Sequence, residues 1–208
     1  MTAVLITGIV MGGIGTVYLW GVPMLEKRQV TQEVAATEED VRNLYNKIVS
    51  TSEQGSGASA TISVEADSIT VNPREEYIQI RNELDEPAKR GFTWSLLKGS
   101  SFQNISIGAG KYGVKGEELP GVIAFKSVAG QGSSEITYRV EFRNLCSKST
   151  GKLSKIDLKV NGKRRAAGSA TIRITNKGEE VDSNVVMPEG ECEGRTSRVN
   201  TVIQVGLE

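Results

Sequence analysis

The first charged side chain of this polypeptide is Glu26; residues 1–25, MTAVLITGIVMGGIGTVYLWGVPML, hold no Asp, Glu, Lys or Arg. A helix of that length, at about 1.5 Å per residue, reaches the ~30 Å of a bilayer core. Glu26, Lys27 and Arg28 follow at once, and Tyr18 and Trp20 lie near that end, where amphipathic rings favour the membrane–water interface. Such a segment needs apolar surroundings, so the chain is expected to begin with a membrane-inserted or self-packing element. Three origins stay open. A cleaved secretory signal calls for a positive start and a shorter apolar run. A signal anchor with positive charge on its C-terminal flank alone would leave the large domain in the cytoplasm. Prior removal of a charged leader, with Met1 a processed N-terminus, accounts for an apolar run that starts at the first residue.

The glycines discriminate further. Gly8 and Gly12 form a GxxxG pair, and Gly8, Gly12 and Gly15 fall on one helical face. Glycine weakens an isolated helix by ~1 kcal/mol against alanine, but it lets apolar helices approach closely. A helix packed among copies of itself uses that face; a plain lipid anchor does not. Pro23, which lacks an amide donor, and Gly21 predict a break, with the helix resuming at Met24. Beyond it Val30, Val34, Val41, Leu44 and Ile48, with Thr37 in the gap, form a heptad-like stripe that wants one partner surface. The breaker cluster SEQGSGAS predicts a stop before Gly55. The expected organisation is a helix over 1–54, apolar in 1–25 and amphipathic in 26–54, then a head domain over 55–208.

After Ser59 the apolar period changes from helical to two. ATISVEADSITVN reads as two short strands with Glu65 and Asp67 near their turn, and EYIQIRN, FTWSLL, NISIGA, VIAFKSVA, EITYRVEFRN, KIDLKVN, SATIRIT and TVIQVGL read as further strands. Turns are expected at Gly99, Gly130–Gly132, Asn161–Gly162 and Lys177–Gly178, Asn-Gly being a strong hairpin signal. Many short strands at this spacing predict an antiparallel sandwich or barrel. The fold class expected is therefore α+β: a long apolar N-terminal helix followed by an all-β, immunoglobulin-like antiparallel sandwich.

The residue inventory excludes most chemistry. The chain has no histidine, which removes the commonest general base and metal ligand and any Ser-His-Asp triad. Lys plus Arg and Asp plus Glu both total 25, so no basic excess points to nucleic acid. The GxGxxG match at Gly108–Gly113 is followed by GVKGEELPG rather than by a helix, so no helix N-terminus awaits a phosphate. STGK at Ser149–Lys152 lacks the rest of a phosphate loop. Asp182, Glu189, Glu191 and Glu193 cluster loosely, but their spacing matches no calcium loop. No catalytic residue, metal site, cofactor or small-molecule substrate is expected. Cys146 and Cys192 cannot make a four-ligand zinc site without histidine; they either pair, as an extracellular setting favours, or are buried apolar residues. Asn104-Ile-Ser106 is an N-glycosylation sequon if the domain is outside the cell.

The stretch ITGIVMGGIGTVYLWGVPMLEKR, continuing as an amphipathic helix into a β-rich head, resembles the type IV pilins. With an all-β head, and with Leu5 where bacterial pilins usually carry glutamate at the fifth mature position, it is more similar to the archaeal pilin and archaellin group. The resemblance implies an immunoglobulin-like head, a leader removed by a prepilin peptidase, and a membrane-inserted precursor passed to an assembly machinery. The product would be an extracellular, cell-surface homopolymer with bundled N-terminal helices and the heads outside. Leu5, Ile9, Gly12, Ile14, Val17 and Leu19 would then lie in the filament core, with Gly8 and Gly15 at close contacts. The other readings are a single-span membrane-anchored cell-surface β-sandwich that binds a partner or the envelope, and a minor component of the same machinery.

Overall fold

The structure, a computed structural model, describes residues 22–85, 93–98, 112–130, 132–187 and 194–208. The chain divides into two compact units, Met1–Ala36 and Thr37–Glu208. Described residues of the first unit, 22–36, are helical, and the helix α1 (Val22–Glu53) continues into the second. Ten strands follow: β1 (Ser59–Asn72), β2 (Tyr77–Leu84), β3 (Ser95–Lys98), β4 (Tyr112–Val114), β5 (Gly121–Ala129), β6 (Ser134–Phe142), β7 (Asn144–Cys146), β8 (Leu153–Gly162), β9 (Arg165–Met187) and β10 (Gly194–Leu207). They make one curled sheet in the order β3-β5-β6-β2-β1-β9-β10-β8-β7-β4.

This corrects the expected fold class. Among the described residues there is no immunoglobulin-like sandwich of two antiparallel sheets, and the single sheet is mixed, because β8–β10 and β4–β7 pair in parallel. The cause is where β10 goes. It inserts between β8 and β9, which are consecutive in sequence, so Asn161-Gly162 does not close a hairpin. The connection instead turns around the end of β10, with Gly206 and Leu207 paired to Asn161 and Gly162 and with Lys163 bridging to Leu207. The expected apolar helix over 1–25 lies almost wholly outside the described residues; α1 is interspersed with charged residues, and among the described residues no helix is long and apolar enough to cross a membrane. Leu5, Gly8, Ile9, Gly12, Ile14, Gly15, Val17, Leu19 and Gly21 lie outside the described residues, as do Asn104 and Cys192. Pro23 is the second residue of the described helix.

Two expected turns are β-bulges. Ala66 pairs Gly168 and Ile69 pairs Ala166, so β1 carries one residue more than β9 there. The insertion flips the alternation, and Val64 and Ala66 face the same side as Ile69 and Val71, all buried. One fourteen-residue strand therefore looks like two in sequence. The bulge is held from the side: Asn82 Oδ1 accepts from Asp67 N, and Asp67 Oδ2 accepts from Glu83 N at 2.6 Å. Lys177-Gly178 is the second bulge, inside β9, where Asn176 pairs Ile203 and Glu179 pairs Thr201. Gly178 has a φ of +99°, which a side-chain-bearing residue rarely adopts.

Candidate functional site

Residues 37–53 of α1 seat on one face of the sheet. Val41, Leu44 and Ile48, three members of the expected stripe, are fully buried there, Val34 is buried in the first unit and Val30 is half-buried. The residue that does most at this seat was outside the stripe. Tyr45, 2% exposed, stacks on Phe142 with ring centroids 6.0 Å apart and 4° between planes, and its hydroxyl donates to the Gly121 carbonyl at 3.3 Å. Gly121 makes the approach possible: a Cβ there would lie 2.6 Å from the Glu141 carbonyl oxygen and 3.0 Å from Tyr45 Cε2. Polar contacts pin the two ends of the seat. Asn82 Nδ2 donates to Thr37 Oγ1 at 2.8 Å. At the helix C-terminus Asn176 Nδ2 donates to the carbonyls of Thr51 and Ser52, which have no intrahelical donor of their own. Asn176 is thus both bulge residue and helix cap. Burial pushes the Tyr45 hydroxyl pKa upward.

A second polar constellation spans β8, β10 and β9. Arg198 Nη2 and Asn200 Nδ2 donate to Asp182 Oδ2 at 2.8 and 2.7 Å, and Lys159 Nζ donates to both Glu180 oxygens at 2.8 and 2.9 Å. The hydrogen bonds from Arg198 and Asn200 hold the Asp182 carboxyl below the ordinary carboxylate value, and the bond to Glu180 holds the Lys159 ammonium above the ordinary lysine value. Farther along β8, Lys155 is ion-paired with Glu76 of the β1–β2 turn. Two residues on along β8, burial, and then the Glu76 charge, raise the pKa of Asp157. Glu76 has a φ of 58°, alone among the described non-glycine residues in being positive, a conformation that costs a residue with a Cβ on the order of 1 kcal/mol.

On β2, β5 and β6 a ladder of cations and rings stands opposite the core. The Arg139 guanidinium sits 4.0 Å from the Tyr77 ring centroid and 5.0 Å from that of Trp94, with Lys126 Nζ 5.1 Å from Trp94. At the far edge of the sheet, Gly113 of the GxGxxG match lies in β4, and the loop that follows it is a clamp rather than a helix. Buried Arg143 donates from Nε to the Leu119 carbonyl at 2.7 Å and pairs with Glu118, whose other oxygen accepts from Val114 N.

Cys146 is disulfide-bonded and packs with Leu153 and Val185. Asp182, placed in sequence among a loose acidic group, is instead engaged by Arg198 and Asn200; Glu189, Glu191 and Glu193 lie outside the described residues. Sequence reading missed Tyr45, Asn176, Lys155 and Glu76. Tyr45 had a signal, since it follows Leu44 directly and widens the stripe. The other three act across 79 or more positions, and no local pattern marks them.

The Asp182 carboxylate carries a testable sign. Its folded pKa lies below the unfolded value, so its contribution is present above about 3.8 and fades as pH falls below that value through the folded pKa. Asp182 is half-exposed, so solvent screening keeps the contribution to about 1 kcal/mol or less. Asp182→Asn is expected to lower the melting temperature at pH 7 and to converge on wild type in strong acid; a deficit independent of pH would mean that packing, not charge, is lost.

Comparison with known protein families, curated proteins and solved structures finds no match to this chain.

Proposed function

We propose that the chain is a structural subunit of an extracellular filament of type IV pilus-like build, with its N-terminal apolar residues in a shared core and its β domain outside. The observation that carries this reading is the uncharged run of residues 1–25, with Gly8, Gly12 and Gly15 spaced i, i+4, i+7 in sequence, ahead of a helix whose later turns are buried on a β domain. An apolar run of that kind requires other apolar surface, which lipid supplies before assembly and copies of the same segment supply afterwards. The seat at Tyr45 gives a β domain firm purchase on the helix, as a subunit under load needs. The absence of histidine fits a structural rather than a catalytic role. On this reading a prepilin peptidase and a dedicated assembly machinery act on the precursor in the cytoplasmic membrane, and neither nucleic acid nor a small-molecule substrate is involved.

The test is electron microscopy of material sheared from cells producing the chain, paired with Gly12→Leu. Wild type is expected to give filaments that contain it, and Gly12→Leu, which forbids close approach on the glycine face, to leave the protein in the membrane fraction with filaments reduced at least tenfold. Normal filaments from Gly12→Leu would refute the packing argument. A wild-type chain that stays in the membrane without filaments would favour a single-span anchor displaying the β domain.

A further inference from the structure

Most ion pairs of the described residues are half-exposed; Lys155–Glu76 and Arg143–Glu118 are those with a buried cation. The Lys155 side chain is 7% exposed, Glu76 27% and Asp157 22%. Glu76 occupies the left-handed position of a tight turn, where glycine or asparagine is at ease. A glutamate there is costly unless its carboxylate is needed, and that carboxylate meets a lysine 79 positions away. Lys159, the other cation near Asp157, is committed to Glu180 at 2.8 Å and stands 4.0 Å from Asp157. Lys155 and Lys159 therefore answer different carboxylates, Glu76 and Glu180.

We propose that Lys155 and Glu76 condense into an intramolecular amide, joining Lys155 Nζ to Glu76 Cδ. The inference is independent of the filament reading. The Lys155 ammonium passes a proton to the Glu76 carboxylate it contacts, leaving a nucleophilic amine beside a carboxylic acid. The amine attacks Glu76 Cδ, a C–N bond forms, and a tetrahedral centre results. A proton passes from the nitrogen to the departing hydroxyl, the Cδ–Oε2 bond breaks, and one water leaves. Ammonium plus carboxylate becomes amide plus water, with charge conserved and no oxidant or co-reactant required. Two features favour the step here. The reacting groups are held in contact, which replaces a bimolecular encounter by an intramolecular one. Exclusion of water around Lys155 opposes the reverse hydrolysis. The bond would tie the β1–β2 turn to β8 across β9 and β10, bracing the curl of the sheet.

Tryptic mass spectrometry of the purified full chain decides the matter. Cleavage after Arg74, Arg81, Lys152 and Lys159, but not after Lys155, is expected to yield a branched peptide of residues 75–81 and 153–159. Its mass should be about 18 Da below the sum of the two parts, one water lost on covalent closure. Quantitative recovery of the linear peptides 153–155 and 156–159 from folded protein would overturn the proposal and leave an ion pair only. Lys155→Arg, which keeps the ion pair, is expected to give no branched species.

Discussion

Tyr45→Ala is expected to destabilise the β domain by about 3–5 kcal/mol, the range for removing a buried ring without refilling its space. For a chain of this size that corresponds to a fall in melting temperature of roughly 2–4 °C per kcal/mol. The ring is buried, stacked on Phe142 and fitted against the bare backbone of Gly121. The sheet cannot follow a shortened side chain inward, because Asn82 and Asn176 fix the helix at Thr37 and at Thr51. Tyr45→Phe separates the contributions. It keeps the ring and loses a 3.3 Å hydrogen bond, so a cost of about 1 kcal/mol is expected. Denaturant melts of the three proteins measure both. A Tyr45→Ala cost below about 1 kcal/mol would show that the helix is not held at this point.

Reduction of the disulfide is the second large effect. Cys146 is bonded, and Cys192 is the only other cysteine in the chain. With that partner the bond closes a loop of 46 positions, and restricting the unfolded chain by such a loop contributes on the order of 4 kcal/mol. The loop encloses β8 and β9, the two strands that flank β10, so opening it loosens the strands that hold β10 in place. Calorimetry with and without reductant is expected to show a drop of roughly 8–16 °C. Cys146→Ala should reproduce most of it, since alanine keeps an apolar group beside Leu153 and Val185. No change on reduction would mean that the body of the sheet fixes these strands unaided.

What could be read from the residues was local. The heptad stripe located the buried helix face at Val41, Leu44 and Ile48, and the period-two runs located most strands. Both bulges were misread as turns because a bulge and a turn leave the same trace, a break in alternation beside a small or polar residue. The pairing order was not legible at all. Leu158 and Ile203 alternate as they would in any half-buried strand, and nothing in KIDLKVN or TVIQVGL says that they lie side by side in parallel. The same holds for Lys155 and Glu76, each an unremarkable charged residue in its own stretch of chain.

The slot taken by β10 bears on how the molecule comes into being. β8 and β9 are made in succession yet cannot bond to each other, because the strand between them is the last of the ten to be synthesised. Until residues 194–207 arrive the finished order cannot form, because β8 joins β9 only through β10. Open strand edges are sites of aggregation. Closing the sheet is therefore expected to be a late step of folding, taken once the chain through residue 207 has been made.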